Sequence, residues 1–303
     1  MDLICVPSSG RANRQQTLWH LHLSGITETF RVAVVVYAHE VAAYKKMSFK
    51  GKRIKNVEVI AVPDTYRGIA RKREYILTKL AAKLDTRLVM VLDDDLSFCH
   101  RPDIDNVDMP YINSDHDEMH RMVKRLTYWL EEKFIHVALI SRQANRQTGM
   151  KWLQPSRAMN AHAFDTLRLR WLVRKGLVEF GRVKLMEDFD LTLQLLRLGY
   201  PNRVSCQYAW TTVSNLKGGC SEYRTEKMQR RAAERLAELH KPFIRLVQRK
   251  AKTWKGLTER LDVRCSWKKA YAAGRAYRDG RRPTSNTAKV AIKRVRLSSH
   301  QGA

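Results

Sequence analysis

Five short apolar runs set the strongest constraint on the fold: Leu3–Val6, Val32–Tyr37, Val57–Val62, Leu88–Leu92 and His136–Ile140. Each is rich in β-branched residues and apolar at successive positions, so both faces of the strand want burial. That is the pattern of parallel strands held between helices. Helical periodicity occupies the intervals, over Gln15–Leu23, Val41–Lys46, Ile69–Leu84 and Glu118–Lys133. The rhythm predicts an α/β domain on an open, mostly parallel sheet, with ligands bound beyond the carboxyl ends of the strands. No fixed-period repeat, G-x-G-x-x-G loop or Walker loop is present.

After Ile140 the spacing changes. Asn160–Phe164 and Val204–Trp210 read as strands, and Met186–Leu198 reads as a helix with an acidic start and Arg197-Leu198-Gly199 at its end. The glycines of Lys217-Gly218-Gly219-Cys220-Ser221 allow a sharp turn or a close approach to a ligand. Arg224 to Lys252 predicts one long basic helix bent at Pro242. The organisation expected is a catalytic domain over 1–222, a basic helical extension over 223–280 that contacts DNA, and a disordered basic tail over 281–303.

Charge narrows the partners. The 303 residues carry 57 Lys and Arg against 30 Asp and Glu, a net +27. From Lys241 onward there are eighteen basic and three acidic residues, which places +15 of that excess at the C-terminal end. A polyanion, nucleic acid foremost, is the expected partner. No run approaches the roughly 20 apolar residues of a membrane span. Met1–Val6 reads directly as a buried strand, and a soluble cytoplasmic protein is expected. Five scattered cysteines without a C-x-x-C pair exclude a disulfide framework and a structural zinc site. His116 and His120 share a helical face, but Glu118 is one place late for H-E-x-x-H.

The chemistry concentrates in two acidic clusters. Asp93-Asp94-Asp95 ends the apolar run Leu88–Leu92. Three adjacent carboxylates repel unless a cation is near, and hard oxygen ligands suit Mg2+ or Mn2+, which in turn would hold a diphosphate. In an extended segment Asp93 and Asp95 face one site and Asp94 faces away. Glu187-Asp188-Phe189-Asp190 opens a helix; one of these acids is a candidate general base, with Asp190 best suited to a capping or dipole role. Ser8-Ser9-Gly10-Arg11 and Arg67–Arg73 follow strands where a phosphate would bind. Within the second run Arg71 and Lys72 are expected in solvent and Arg73 inward.

Pro7-Ser8-Ser9-Gly10-Arg11, Gly68–Arg73, Asp93-Asp94-Asp95 and Glu187-Asp188 occur in the order seen in nucleotide-sugar-dependent glycosyltransferases of the GT-A fold. More narrowly the chain resembles the TET-associated glycosyltransferases, phage-type enzymes thought to place sugars on hydroxymethylated pyrimidines in DNA. Gly218-Gly219-Cys220-Ser221-x-Tyr223-Arg224 resembles a motif of that group. The resemblance spans about residues 2–225 and implies the following roles. Pro7, Ser8, Arg11, Arg73, Asp93 and Asp94 would bind the donor, a UDP-sugar. Asp93 and Asp95 would hold Mn2+ or Mg2+, and Asp188 with Glu187 would serve as the base region of an inverting reaction. Gly218, Gly219, Ser221, Tyr223 and Arg224 would form the acceptor loop. Many GT-A enzymes supply a late His to the metal; this loop has none, which leaves Ser221 or water. Hydroxymethylated duplex DNA would be the acceptor. A two-metal nuclease, a transferase acting on protein or glycan, and a non-catalytic DNA-binding protein are the alternatives.

Overall fold

Alternation along the first strand decides which layer each residue serves. In a computed structural model that describes residues 1–106, 109–143, 150–212, 225–250 and 259–280, the strand β1 (Leu3–Pro7) is buried throughout. Leu3 and Cys5 face one layer with Leu77, Leu169 and Leu195; Ile4 and Val6 face the other with Leu18, Leu126 and Trp129. A strand flanked on both sides has no solvent face, which explains its uninterrupted apolar character.

The chain runs through β1, α1 (Gln16–Leu23), α2 (Ile26–Thr29), β2 (Val32–Tyr37), α3 (Val41–Tyr44), a small hairpin of β3 (Ser48–Phe49) and β4 (Lys52–Arg53), and β5 (Glu58–Val62). Next come α4 (Ile69–Glu74), a π-helical turn over Tyr75–Leu80 and α5 (Ala81–Lys83), one continuous helix with a local widening. They lead to β6 (Leu88–Leu92), β7 (Leu96–His100), β8 (Ile112–Asn113), α6 (His116–Glu132) and β9 (His136–Ser141). The remainder comprises β10 (Trp152–Leu153), β11 (Ala161–Asp165), α7 (Thr166–Arg174), α8 (Glu187–Arg197), β12 (Asn202–Thr212), α9 (Glu226–Leu239), β13 (Ile244–Lys250), β14 (Glu259–Cys265) and α10 (Trp267–Arg278).

The main sheet has the order β5-β2-β1-β6-β11-β9-β12-β7-β8, with β10 on β12. Its first four strands are parallel, while β11 runs antiparallel to both β6 and β9. The expected α/β architecture, with helices on both faces of the sheet, is observed. The carboxyl ends of β1 and β6 lie side by side, which brings Ser8 and Asp94 together.

The C-terminal region differs from the expectation. In place of one bent helix over Arg224–Lys252, α9 stops at Leu239 and the chain forms the antiparallel β13–β14 ribbon before α10. Pro242 has no N–H to continue a helix, and beyond it Phe243, Ile244 and Val263 find an apolar partner in α8 and α9. These elements share a core with Val183, Phe189, Leu193 and Leu196. Docking of α10 on α8 is close: a Cβ added at Gly274 would sit 2.2 Å from the Leu196 carbonyl oxygen. No helix among the described residues is long and apolar enough to cross a membrane. The predicted tail over 281–303 lies outside the described residues.

Candidate active site

The loop after β1 is shaped by residues from three other segments. Ser8 Oγ donates to Asp94 and accepts from Gln15 Nε2 at 2.9 Å, with Tyr44 Oη at 2.7 Å. The Gly10 amide donates to Glu40 at 2.6 Å and the Arg11 amide to Tyr44 Oη at 3.1 Å. Gly10 takes a left-handed conformation, φ 69°, which a side chain would strain. Lys72 departs from the solvent position expected of it: its Nζ donates to the Ser8 carbonyl at 2.7 Å and lies 4.0 Å from the centre of the Tyr37 ring. Its long stem reaches back from the first turn of α4 to close the loop. Arg71 does lie in solvent, pairing with Glu74.

The second segment is the turn Asp93-Asp94-Asp95. Thr17, at the start of α1, donates its hydroxyl to the Asp93 carbonyl, and the Leu96 amide donates to Thr17 Oγ1 at 2.8 Å. The chain turns here before starting β7, so the alternation of an extended strand does not apply. Instead Asp94 and Asp95 share the Arg11 guanidinium, while Asp93 pairs with Arg73. Asp94 is buried; Asp93 and Asp95 keep 27% and 22% of their side chains open to solvent, so these two can still reach a ligand. Burial, then the charges of Asp93 and Asp94, push the Asp95 carboxyl up to about 6. Burial raises Asp94 as well, against the pull of Arg11 and Ser8.

The third segment is the start of α8. Met186 precedes it in a left-handed conformation and offers no side-chain cap, so Glu187 and Asp188 meet the positive end of the helix. Arg73 is buried and spans the gap: Nη1 donates to Glu187 at 2.7 Å and Nη2 to Asp93. Burial, then the neighbouring Glu187, raise the Asp188 carboxyl to about 7, despite the fields of Arg73 and Arg157. Asp190 is elsewhere: it is buried against Arg182 Nε at 3.0 Å and His240 Nε2 at 2.6 Å, and ties α8 to the end of α9.

Several residues at this site carry no sequence motif. Arg157 projects over the Phe189 ring, 4.7 Å from its centre, within electrostatic reach of Asp188. Behind Arg73, Glu187 and Asp188 lies a cavity of about 20 Å³ also lined by His136, His162 and Phe164, room for about one water. His136 Nε2 and His162 Nδ1 are 2.9 Å apart, and burial lowers both imidazoles, His136 to about 3. The pair is therefore neutral. Gln15, Glu40, Tyr44 and Lys72 escape a reading of the sequence because each acts by shaping a neighbouring backbone, a role that leaves no local pattern. The acceptor-loop residues Gly218, Gly219, Ser221, Tyr223 and Arg224 lie outside the described residues.

A sequence profile described as TET-Associated Glycosyltransferase matches residues 3–219, which include every segment of this site. The chain belongs to that family. A TET-associated glycosyltransferase uses a nucleotide-sugar donor, which is consistent with guanidinium and carboxylate groups gathered where β1 and β6 end. Among solved structures, mannose-1-phosphate geranyltransferase from Thermus thermophilus is similar at 14% identity and TM-score 0.43, over 80% of this chain and 81% of that one. TarS of S. aureus is similar at 13% identity and TM-score 0.40, over 78% of this chain and 40% of that one. No curated protein matches. Neither the zinc pattern at His116 nor the acidic cluster at Asp93 forms a group of three or more metal-ligating side chains among the described residues.

Proposed function

We propose that this glycosyltransferase moves a sugar from a nucleotide-sugar, of the uridine diphosphate type, to the hydroxymethyl group of a modified pyrimidine in DNA, with Asp188 as general base. The observation that carries the reading is that Arg73 bridges Asp93 at the end of β6 and Glu187 at the start of α8, beside Asp188, whose carboxyl burial and then Glu187 raise to about 7. A base with that affinity accepts a proton near neutral pH and stays ionised often enough to act.

The residues divide the work. Ser8, Arg11 and Asp94 form a rigid floor where β1 and β6 end, suited to the nucleotide. The Asp188 carboxylate takes the hydroxymethyl proton as the oxygen forms its bond to the anomeric carbon. The bond from that carbon to the diphosphate breaks with inversion, and the nucleoside diphosphate leaves. Arg73 holds Asp93 and Glu187 on either side of this path through one two-pronged guanidinium.

A divalent cation fits the donor set in part. Asp93 and Asp95 offer partly open, hard oxygen atoms, and a cation there would favour the ionised Asp95 carboxylate against the burial, and then the charges of Asp93 and Asp94, that raise it. Asp93 and Asp95 would hold Mn2+ or Mg2+ there, and the ion would stabilise charge on the leaving group.

The DNA acceptor is supported by the basic C-terminal region, and family membership favours a transferase over the nuclease alternative. The test is nucleoside mass spectrometry of hydroxymethylated DNA incubated with the protein and a panel of nucleotide-sugars. A sugar adduct that disappears with Asp188→Ala supports the reading. Transfer only to peptide or glycan acceptors overturns the assignment of DNA.

A further inference from the structure

The β13–β14 ribbon has an unusual outer face. Its register sets Arg245 opposite Arg264 and Arg249 opposite Arg260, with Val247 opposite Asp262 between them. Residues two apart on a strand share a face, so four guanidinium groups and one carboxylate project from the same side. Like charges set directly opposite one another destabilise a sheet. Asp262 relieves this in part, 3.2 Å from Arg260 and 3.6 Å from Arg249. The other face is occupied near its foot, where Ile244, Val263, Leu261 and Cys265 pack into the core with α8 and α9, while Leu246, Gln248 and Lys250 further out are exposed. Arg245, Arg249 and Arg264 are exposed. A sheet that retains two cross-strand arginine pairs on its open side is complementary to a polyanion.

The position of the ribbon bears on the chemistry. Its foot, Cys265, lies within electrostatic reach of Asp188 and Arg157. Trp267, two residues on, meets the Phe189 ring edge-on at 5.5 Å. Phe189 follows Asp188 in the chain, so the ribbon starts beside the proposed base. The dimensions suit a duplex. Arg245 and Arg249 are separated by about 13 Å along the strand, and a two-stranded ribbon enters a major groove about 12 Å wide.

We infer that the arginine face of the β13–β14 ribbon is the surface that holds duplex DNA, through its phosphates, and orients it toward Asp188. The partner's identity rests on the DNA-acceptor reading above; the surface and its mode of contact go beyond it. Phosphate contacts of this kind set position and register and carry no base specificity. Selection of the modified base then belongs to the site at Asp188.

The test uses the full chain and a fluorescent duplex titrated over a salt series. Arg245→Ala/Arg249→Ala/Arg264→Ala should weaken binding at least about tenfold. It should also make the slope of log K against log salt shallower by about 2.7, or about 0.9 for each phosphate no longer neutralised. The corresponding triple lysine variant should keep the wild-type slope, because each ammonium still neutralises a phosphate. The melting temperature should not fall in either variant, and slow donor hydrolysis without acceptor should be unchanged in both. Unchanged affinity and slope in the folded alanine variant overturns the inference. So does competition by polyglutamate as effective as competition by unlabelled duplex. Sugar transfer by the wild type is scored separately. Ribbon-dependent binding without transfer to DNA overturns only the acceptor reading; transfer with ribbon-independent binding overturns only the ribbon.

Discussion

Arg73 Nη1 lies 2.7 Å from Glu187 Oε1, a residue 114 positions further along the chain, and the same guanidinium holds Asp93 through Nη2. One buried cation thus fixes the end of β6 relative to the first turn of α8. The turn after β6 and the start of α8 share a counter-ion, so neither can shift without changing the charge balance of the other.

Removing that cation should be costly. Arg73→Ala leaves the partly buried Asp93 and Glu187 without their counter-ion and is expected to lower unfolding stability by about 1–3 kcal/mol, measured by urea denaturation. Arg73→Lys keeps a charge but loses the two-pronged geometry. Its stability should fall less, while transfer falls at least about tenfold through misplacement of Asp93 and Glu187. Equal activity in the lysine variant and the wild type would rule out a geometric role for the fork.

Donor binding should depend on metal through Asp95. A UDP-sugar with Mn2+ is expected to raise the melting temperature of the wild type more than either alone. Asp95→Asn should abolish that extra increment while leaving the unliganded melting temperature near wild type, since the side chain is partly open and its one arginine contact is long, at 3.3 Å. An undiminished increment in the variant would remove Asp95 from the metal.

The base assignment predicts a pH profile. Asp188 acts only when ionised, so kcat/KM should climb with pH and level off above about 7, where its carboxyl loses the proton. Asp188→Asn should cut kcat by about 10²–10⁴ and abolish the acidic limb. A variant that keeps the limb shows that another group titrates there.

The histidine pair should make the fold acid-sensitive. His136 and His162 bind protons more weakly in the folded chain than in the unfolded one. Stability is therefore full above the unfolded value near 6.5 and is lost as pH falls, for His136 down to about 3, at about 1.4 kcal/mol per pH unit for each histidine that stays neutral in the fold. Raised carboxylates such as Asp188 contribute with opposite sign, so the comparison must be differential. The gap in melting temperature between wild type and His136→Leu/His162→Leu should narrow or reverse from pH 7 toward pH 4. A constant gap would show that the pair does not titrate on unfolding.

Packing of α10 on α8 is the most demanding steric contact. Gly274→Ala places a methyl 2.2 Å from the Leu196 carbonyl oxygen, a backbone atom that cannot swing aside. Loss of about 1–3 kcal/mol is expected from overpacking, read as a lower urea midpoint. An unaltered midpoint would mean that α10 is not docked in this way.

The strands of the parallel half are legible in the sequence because two-sided burial writes itself as unbroken apolar runs, as in Leu3–Val6 and Leu88–Leu92. The acidic clusters are legible for the same reason in reverse: Asp93–Asp95 breaks an apolar run with three charges. What pairs with what is not. Asp94 and Asp95 share Arg11 because the backbone turns after Leu92, and a turn cancels the side alternation of a strand. Lys72 resembles its neighbour Arg71 in sequence, but one step around the helix, about 100°, turns it inward. The ribbon is hidden because Ile244–Lys250 has basic residues at positions that suit a charged helix face as well as a strand's outer side. Arg157 sits in a loop, where no periodicity marks direction.

The hydrophobic cover that α9, the ribbon and α10 place on Phe189, Leu193 and Leu196 has an evolutionary consequence. A module that seals the back of the helix bearing Glu187 and Asp188 cannot be exchanged as a free-standing attachment. Grafting a different acceptor-binding element onto this enzyme would require α8 to travel with it. On the proposed reading, acceptor choice and the carboxylates of α8 would be inherited as one block, and new acceptors would be reached more readily by changing arginines on the ribbon's outer face than by shuffling whole segments.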